Sequence, residues 1–164
     1  MPALTAGTSA PEINLSSTKG TKFSLDQALK RGPVVAAFFK ISCPVCQLSL
    51  PYVERMYRAY PGSRVTIVGV SQDERDETES FAREYGISFP LLLDPEDSYP
   101  ASNAYDLTNV PSIFLIADGE VKLSIVGWDK RDIEKLNAEV ARASGIPAQP
   151  IFRKGEDVPT SKAG

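Results

Sequence analysis

The 164-residue sequence contains no histidine. That absence removes the usual general base, the commonest metal ligand and any Ser-His or Cys-His nucleophile pairing. Cysteine is almost as scarce. The only two, Cys43 and Cys46, are too few and too close together for the disulfide framework of a small secreted domain. Basic charge is not in excess: 18 Lys and Arg stand against 21 Asp and Glu, for a net −3. No basic stripe is available to neutralise phosphates, so nucleic acid is not an expected partner. No apolar run approaches the length of a membrane span, and no membrane partner is expected. Residues 1–12 hold no Lys or Arg and no apolar run, so no secretory signal is read there and the cytoplasm is the expected compartment.

What is present centres on one stretch. Hydrophobic residues make up 42% of the chain, enough for the core of one domain. The continuous apolar run Val34 to Phe39 suits a central strand covered on both faces. It leads through Lys40-Ile41-Ser42 into Cys43-Pro44-Val45-Cys46, and a helical pattern follows. Strand, tight turn and helix start put Cys43 at a helix N-terminus, where unpaired N–H groups and the helix dipole favour a thiolate over a thiol. Pro44 falls at the first helical position, where its missing donor costs nothing. Cys46 lies about one turn further, within reach of Cys43. The motif reads as a two-electron thiol–disulfide switch that needs no cofactor beyond its own disulfide, and no metal. Lys40 is a candidate for lowering the Cys43 pKa; the plainer reading is a lysine that ends a strand at the surface.

The rest of the chain supplies a frame. Residues 1–9 are expected to fray. Ser24 can cap a short helix from Leu25 to Lys30, ended by Gly32-Pro33. The helix from Pro44 to about Tyr60 carries Val45, Leu48, Tyr52, Met56 and Tyr60 as its apolar stripe, with Pro51 kinking rather than ending it. Val65 to Val70 is a second buried strand. Asp73 to Glu79 reads as a solvated, acid-rich helix start ahead of Phe81 and Tyr85. Phe89 to Leu93 is a short strand, with a short helix near Tyr99 to Tyr105. Pro111 to Ile116 and Val121 to Val126 flank the hairpin signal Asp118-Gly119. Asp129 can cap a last helix to about Gly145. The reading is a domain over residues 1–144 and an extended or disordered tail over 145–164, in which Ile151-Phe152 is the piece able to dock. The strand–helix alternation predicts parallel pairing, with the hairpin adding an antiparallel strand, hence an α/β fold with a central mixed sheet and helices on both faces.

In this order the motifs resemble the thioredoxin-like superfamily. They are most similar to its redoxin branch, which includes cytochrome-maturation thioredoxins and the alkyl hydroperoxide reductase/thiol-specific antioxidant proteins. The likeness spans residues 10–144. It rests on Phe38-Phe39 before Cys43-Pro44-Val45-Cys46, on Pro51 five residues after Cys46, and on Val110-Pro111 at a strand start. It also rests on Ala10-Pro11-Glu12-Ile13-Asn14-Leu15 followed by Gly20 and Phe23-Ser24-Leu25. The resemblance implies that Cys43 attacks and that buried Cys46 resolves. It implies that Pro44 and Val110-Pro111 form the substrate site, with a cis bond before Pro111 and the Val110 backbone pairing with an extended substrate. It implies a thiol–disulfide oxidoreductase that meets protein or small-molecule disulfides and draws on a thiol electron donor, as a monomer or weak dimer. Three positions depart from the family. Ser42 stands where Trp is usual, Ala37 where thioredoxins bury an Asp, and Ser49 where cytochrome-maturation members place a Glu.

Other readings are narrower. Inert buried thiols do not explain a C-x-x-C between a buried strand and a helix. Structural zinc needs four ligands, and the pair supplies two. A peroxiredoxin-like thiol peroxidase needs Pro-x-x-x-Thr-x-x-Cys, whose Pro and Thr positions here hold Ala36 and Lys40. A non-catalytic redox-sensing binding module would use the same cysteines without turnover.

Overall fold

The computed structural model describes residues 3–164. A ribbon of β1 (Asn14–Ser16) and β2 (Lys22–Ser24) leads into helix α1 (Leu25–Leu29), capped by the Ser24 hydroxyl, which accepts from the Gln27 amide at 3.3 Å. Then come β3 (Val34–Phe39), α2 (Pro44–Ala59), β4 (Thr66–Ser71), α3 (Arg75–Tyr85) and β5 (Leu91–Leu93). The chain continues with α4 (Pro100–Ala104), β6 (Ser112–Ala117), β7 (Glu120–Val126), β8 (Trp128–Asp129), α5 (Lys130–Ser144) and β9 (Ser161–Lys162).

Five strands form the central sheet in the order β5-β4-β3-β6-β7. All six residues of the middle strand β3 are buried. Its alternate side chains divide the core in two, because successive side chains on a strand point to opposite faces. Val35, Ala37 and Phe39 pack with residues of α2, α3 and α5; Val34, Ala36 and Phe38 pack with Leu25 of α1 and Ala101 of α4. The sheet is mixed and helices cover both faces, as the strand–helix alternation implies.

One pairing differs from the expectation of parallel strands up to the hairpin. β3, β4 and β5 are parallel, but β6 already runs antiparallel to β3, with Ser112 opposite Phe38. β6 therefore starts at the edge where β3 ends, and that brings Val110-Pro111 beside the turn that precedes Cys43.

Helix α2 runs unbroken through Pro51. Tyr52, Met56 and Tyr60 of the expected stripe are buried; Val45 and Leu48 are only half-buried, and the buried face widens to Cys46, Ser49, Leu50, Val53 and Glu54. Two polar residues on that face hid it from a count of apolar positions. Ser49 satisfies itself by donating to the Val45 carbonyl at 2.6 Å. The Glu54 carboxylate accepts from the amides of Ser88 (2.8 Å) and Phe89 (3.2 Å), the Ser88 hydroxyl and Arg58 Nε (2.6 Å), fastening α2 to the loop before β5.

Both ends are more tightly held than their composition suggests. Met1 and Pro2 lie outside the described residues. Ala3 is buried, the Gly7 amide donates to the Val121 carbonyl at 2.8 Å, and Ser9 bridges to Glu120. The tail is extended but packed. Ile151 is buried, and the Phe152 ring lies 5.1 Å from Tyr52 and 6.1 Å from Trp128. The Trp128 indole N–H donates to the Pro159 carbonyl at 2.7 Å, and β9 pairs with β8. A few large side chains in a polar segment suffice to dock it when the body presents aromatic partners.

Candidate redox-active site

Cys43 is the N-cap of α2, in extended backbone at φ −84° and ψ 117°, and Pro44 opens the helix. The Cys43 amide donates to the Lys40 carbonyl at 3.1 Å, closing the turn, and the Cys43 carbonyl accepts from the Gln47 amide at 3.0 Å. The thiol is half-exposed and donates to the Val110 carbonyl at 3.5 Å. Cys46, one turn into the helix, is fully buried. Both are free thiols. Burial pushes the Cys46 thiol well above the ordinary cysteine range; the Lys40 backbone N–H pulls the other way, and Cys43 and Asp73 add to the rise. The site thus holds one reachable sulfur at the electropositive end of a helix and one sheltered sulfur behind it.

The turn between strand and helix is clamped from two sides. Asp73 Oδ2 accepts the Ile41 amide at 2.8 Å, and Gln47 Nε2 donates to the Ile41 carbonyl at 2.9 Å. Asp73 is itself fixed by its amide donating to the Ser71 hydroxyl at 3.0 Å, and that hydroxyl shares a 2.7 Å hydrogen bond with Thr78. Asp73 is buried, which corrects its placement in a solvated helix start: α3 begins at Arg75 and Asp73 turns inward before it. Its position just past the carboxyl end of β4, beside the end of β3, was the available signal, because sites in open α/β sheets gather at that edge. Ala37 and Ser49 occupy the two positions where related folds keep an acid, and both are buried. The Asp73 charge adds a small part to the rise in the Cys46 pKa, behind burial.

The peptide bond between Val110 and Pro111 is cis. Val110 and Cys43 share a cleft of about 300 Å³ with Gln72, Asn109 and Gly164. A larger cleft of about 630 Å³, bordered by Lys22, Arg31, Arg83 and Phe89, shares none of these residues. Lys40 enters the site through its backbone, whose carbonyl accepts the Cys43 amide and whose N–H lowers the Cys46 pKa. Among the described residues no group of three His, Cys, Asp or Glu side chains converges as a metal site.

The AhpC/TSA family pattern matches residues 6–124. The chain belongs to the AhpC/TSA family. Within reach of this AhpC/TSA chain lies the thiol-disulfide oxidoreductase ResA of Geobacillus kaustophilus, 34% identical over 136 residues that cover 81% of this chain and 76% of the relative. A crystal structure described as a thiol:disulfide interchange protein DsbE from Chlorobium tepidum superposes with a TM-score of 0.75 at 26% identity, over 87% of this chain and all (100%) of the other. Peroxidoxin BcpB from Mycobacterium tuberculosis gives a TM-score of 0.70 at 20% identity, over 85% of this chain and 97% of that one, a likeness of fold alone. This AhpC/TSA member is an oxidoreductase of the thiol–disulfide class whose catalytic group is its cysteine pair; its substrates carry disulfides or thiols.

Proposed function

We propose that Cys43 is the attacking sulfur and Cys46 the resolving one in a dithiol–disulfide exchange. The observation that carries this is the asymmetry of the pair: Cys43 is accessible at the N-cap of α2 beside the Val110 carbonyl, and Cys46 is sealed one turn behind it. The Cys43 thiolate attacks one sulfur of a substrate disulfide. A Cys43–substrate bond forms, the substrate S–S bond breaks, and the first substrate thiolate leaves. Cys46, on losing its proton, attacks the Cys43 sulfur. The second substrate thiolate leaves, and two electrons have passed from the cysteine pair to the substrate. A thiol donor returns the Cys43–Cys46 disulfide to the dithiol by the reverse sequence. Pro44 starts the helix without an unpaired donor, and the Val110 backbone beside Pro111 aligns an extended substrate over Cys43.

The test is a pair of variants. Cys43→Ser should abolish disulfide reduction with a dithiol donor. Cys46→Ser should accumulate a mixed disulfide through Cys43, seen as an added mass released by reductant. Wild-type turnover in Cys43→Ser would falsify the assignment. Oxidation that alters binding to a partner while no variant or wild-type protein turns over would favour the redox-sensing module.

A further inference from the structure

Residues 160–164 follow a path that the cysteine chemistry does not require. The chain is anchored as far as Pro159, by buried Ile151, by the stacked Phe152 ring and by the Trp128 indole. Beyond that point it turns along β8. The Lys130 amide donates to the Thr160 carbonyl at 2.9 Å, and Ser161 and Lys162 pair with Asp129 and Trp128. It then passes Gly127 and reaches the active-site cleft, where Asn109 Nδ2 donates to the Gly164 carbonyl at 3.1 Å.

Two glycines permit this path. Gly127 lies at φ +75°, and a Cβ on it would stand 2.6 Å from the Lys162 carbonyl oxygen. A Cβ on Gly164 would collide with the Val110 carbonyl. The segment therefore lies backbone to backbone against Val110, whose carbonyl also receives the Cys43 thiol. A peptide adding as a strand beside Cys43 needs that same backbone edge. The cleft left open, about 300 Å³ and bordered by Cys43 and Gly164, is at the small end of ligand pockets.

We propose that residues 160–164 form a strap that selects substrate: closed, it admits low-molecular-weight disulfides to Cys43 and keeps polypeptides from the Val110 edge; lifted, it opens that edge to protein disulfides. This rests on the roles given above to Cys43 and Val110. The strap is built to lift. Residues 160–164 are exposed, and among the described residues they are held by the Lys130–Thr160 backbone bond, a two-residue ladder and one exposed side-chain hydrogen bond. Such contacts open at low cost compared with the core. Pro159 marks the boundary between the docked tail and the strap.

Two variants test it, one lacking residues 160–164 and one carrying Gly164→Val in the full chain. Each is assayed for reduction of insulin and of bis(2-hydroxyethyl) disulfide, with dithiothreitol as donor. A strap open a tenth of the time lowers apparent affinity tenfold only for the ligand it excludes, so kcat/KM for insulin should rise by about tenfold and that for the small disulfide by less than about twofold. An insulin-to-small-disulfide ratio equal to that of the intact chain in both variants overturns the strap. Inertness of all three proteins toward both disulfides overturns the redox reading of the site and the strap with it.

Discussion

The sulfur of Cys43 stands 3.5 Å from the carbonyl oxygen of Val110, a residue 67 positions further along the chain. Neither residue is placed by the other. Cys43 sits where β3 ends and α2 begins; Val110 sits where β6 begins, and because β6 runs antiparallel to β3 its start lies at the edge where β3 ends. The antiparallel pairing thus sets a backbone acceptor against the thiol.

The buried sulfur should titrate high. In Cys43→Ser the remaining thiol, Cys46, should ionise well above an ordinary cysteine, because burial is the largest influence on it. Asp73→Asn keeps an acceptor for the Ile41 amide and removes a negative charge near Cys46, so the titration should move down. Ultraviolet thiolate absorbance against pH reads both. A titration unmoved by Asp73→Asn would leave Asp73 as a clamp for the turn only. The sign for stability follows from the same shift. A raised folded-state pKa means the unfolded thiol ionises first, so dithiol protein should lose stability as pH climbs past the ordinary value of 9.0.

Peroxide should be a poor substrate. Peroxiredoxins orient it with a threonine three residues before the attacking cysteine; here that residue is Lys40, and the preceding proline position is Ala36, buried in β3. Hydrogen peroxide consumption by Cys46→Ser should therefore proceed at the rate of a free thiol of the same ionisation. A rate far above it would restore the peroxidase reading.

The cysteine pair, the strand before it and the helix after it were legible because each rests on local chemistry: an apolar run, a proline at the first helical position, a C-x-x-C. Val110-Pro111 was legible only through family likeness, since nothing in two residues says which distant turn they will meet. Asp73 was misread because an acid before a helix has an ordinary explanation in the helix dipole, and only the sheet edge turns this one inward. Glu54 and Ser49 were passed over for the opposite reason: polar residues on a buried face look like solvent positions until their partners, the Ser88 amide and the Val45 carbonyl, are in place. The tail misled by composition. Its order comes from contacts with other elements, among them those to Tyr52, Trp128 and Arg55.

Glu54 should matter to stability rather than to chemistry. Its carboxylate is buried and takes two amides, a hydroxyl and Arg58. Glu54→Ala leaves the buried Phe89 amide unpaired and frees the exposed Ser88 and Arg58 groups to water, and should cost about 2 kcal/mol in urea unfolding. Glu54→Gln keeps an acceptor and should cost less. The titration of Cys46 should be unchanged in either variant.

The tail should come loose in acid before the domain does. The Glu156 carboxylate takes both terminal nitrogens of Arg55 at 2.8 Å, and it also accepts the Arg153 amide at 3.0 Å. Those bonds, Arg55 first, hold its pKa at about 2, against an ordinary 4.5. A depressed folded-state pKa gives stability that is full above the ordinary value and fades as pH falls toward the folded one. Docking of residues 147–157 should therefore weaken between pH 4.5 and about 2. The Phe152 ring and the Pro159 carbonyl both touch Trp128, so its fluorescence should report the change. Glu156→Gln should remove that acid step and, at neutral pH, speed tryptic cleavage after exposed Arg153 and Lys154. Arg55→Ala should speed it more, because Arg55 also donates to the Ile151 carbonyl at 2.8 Å and lies 4.6 Å over the Tyr52 ring. Equal cleavage of both variants and the intact chain would mean that the aromatic contacts alone hold the tail.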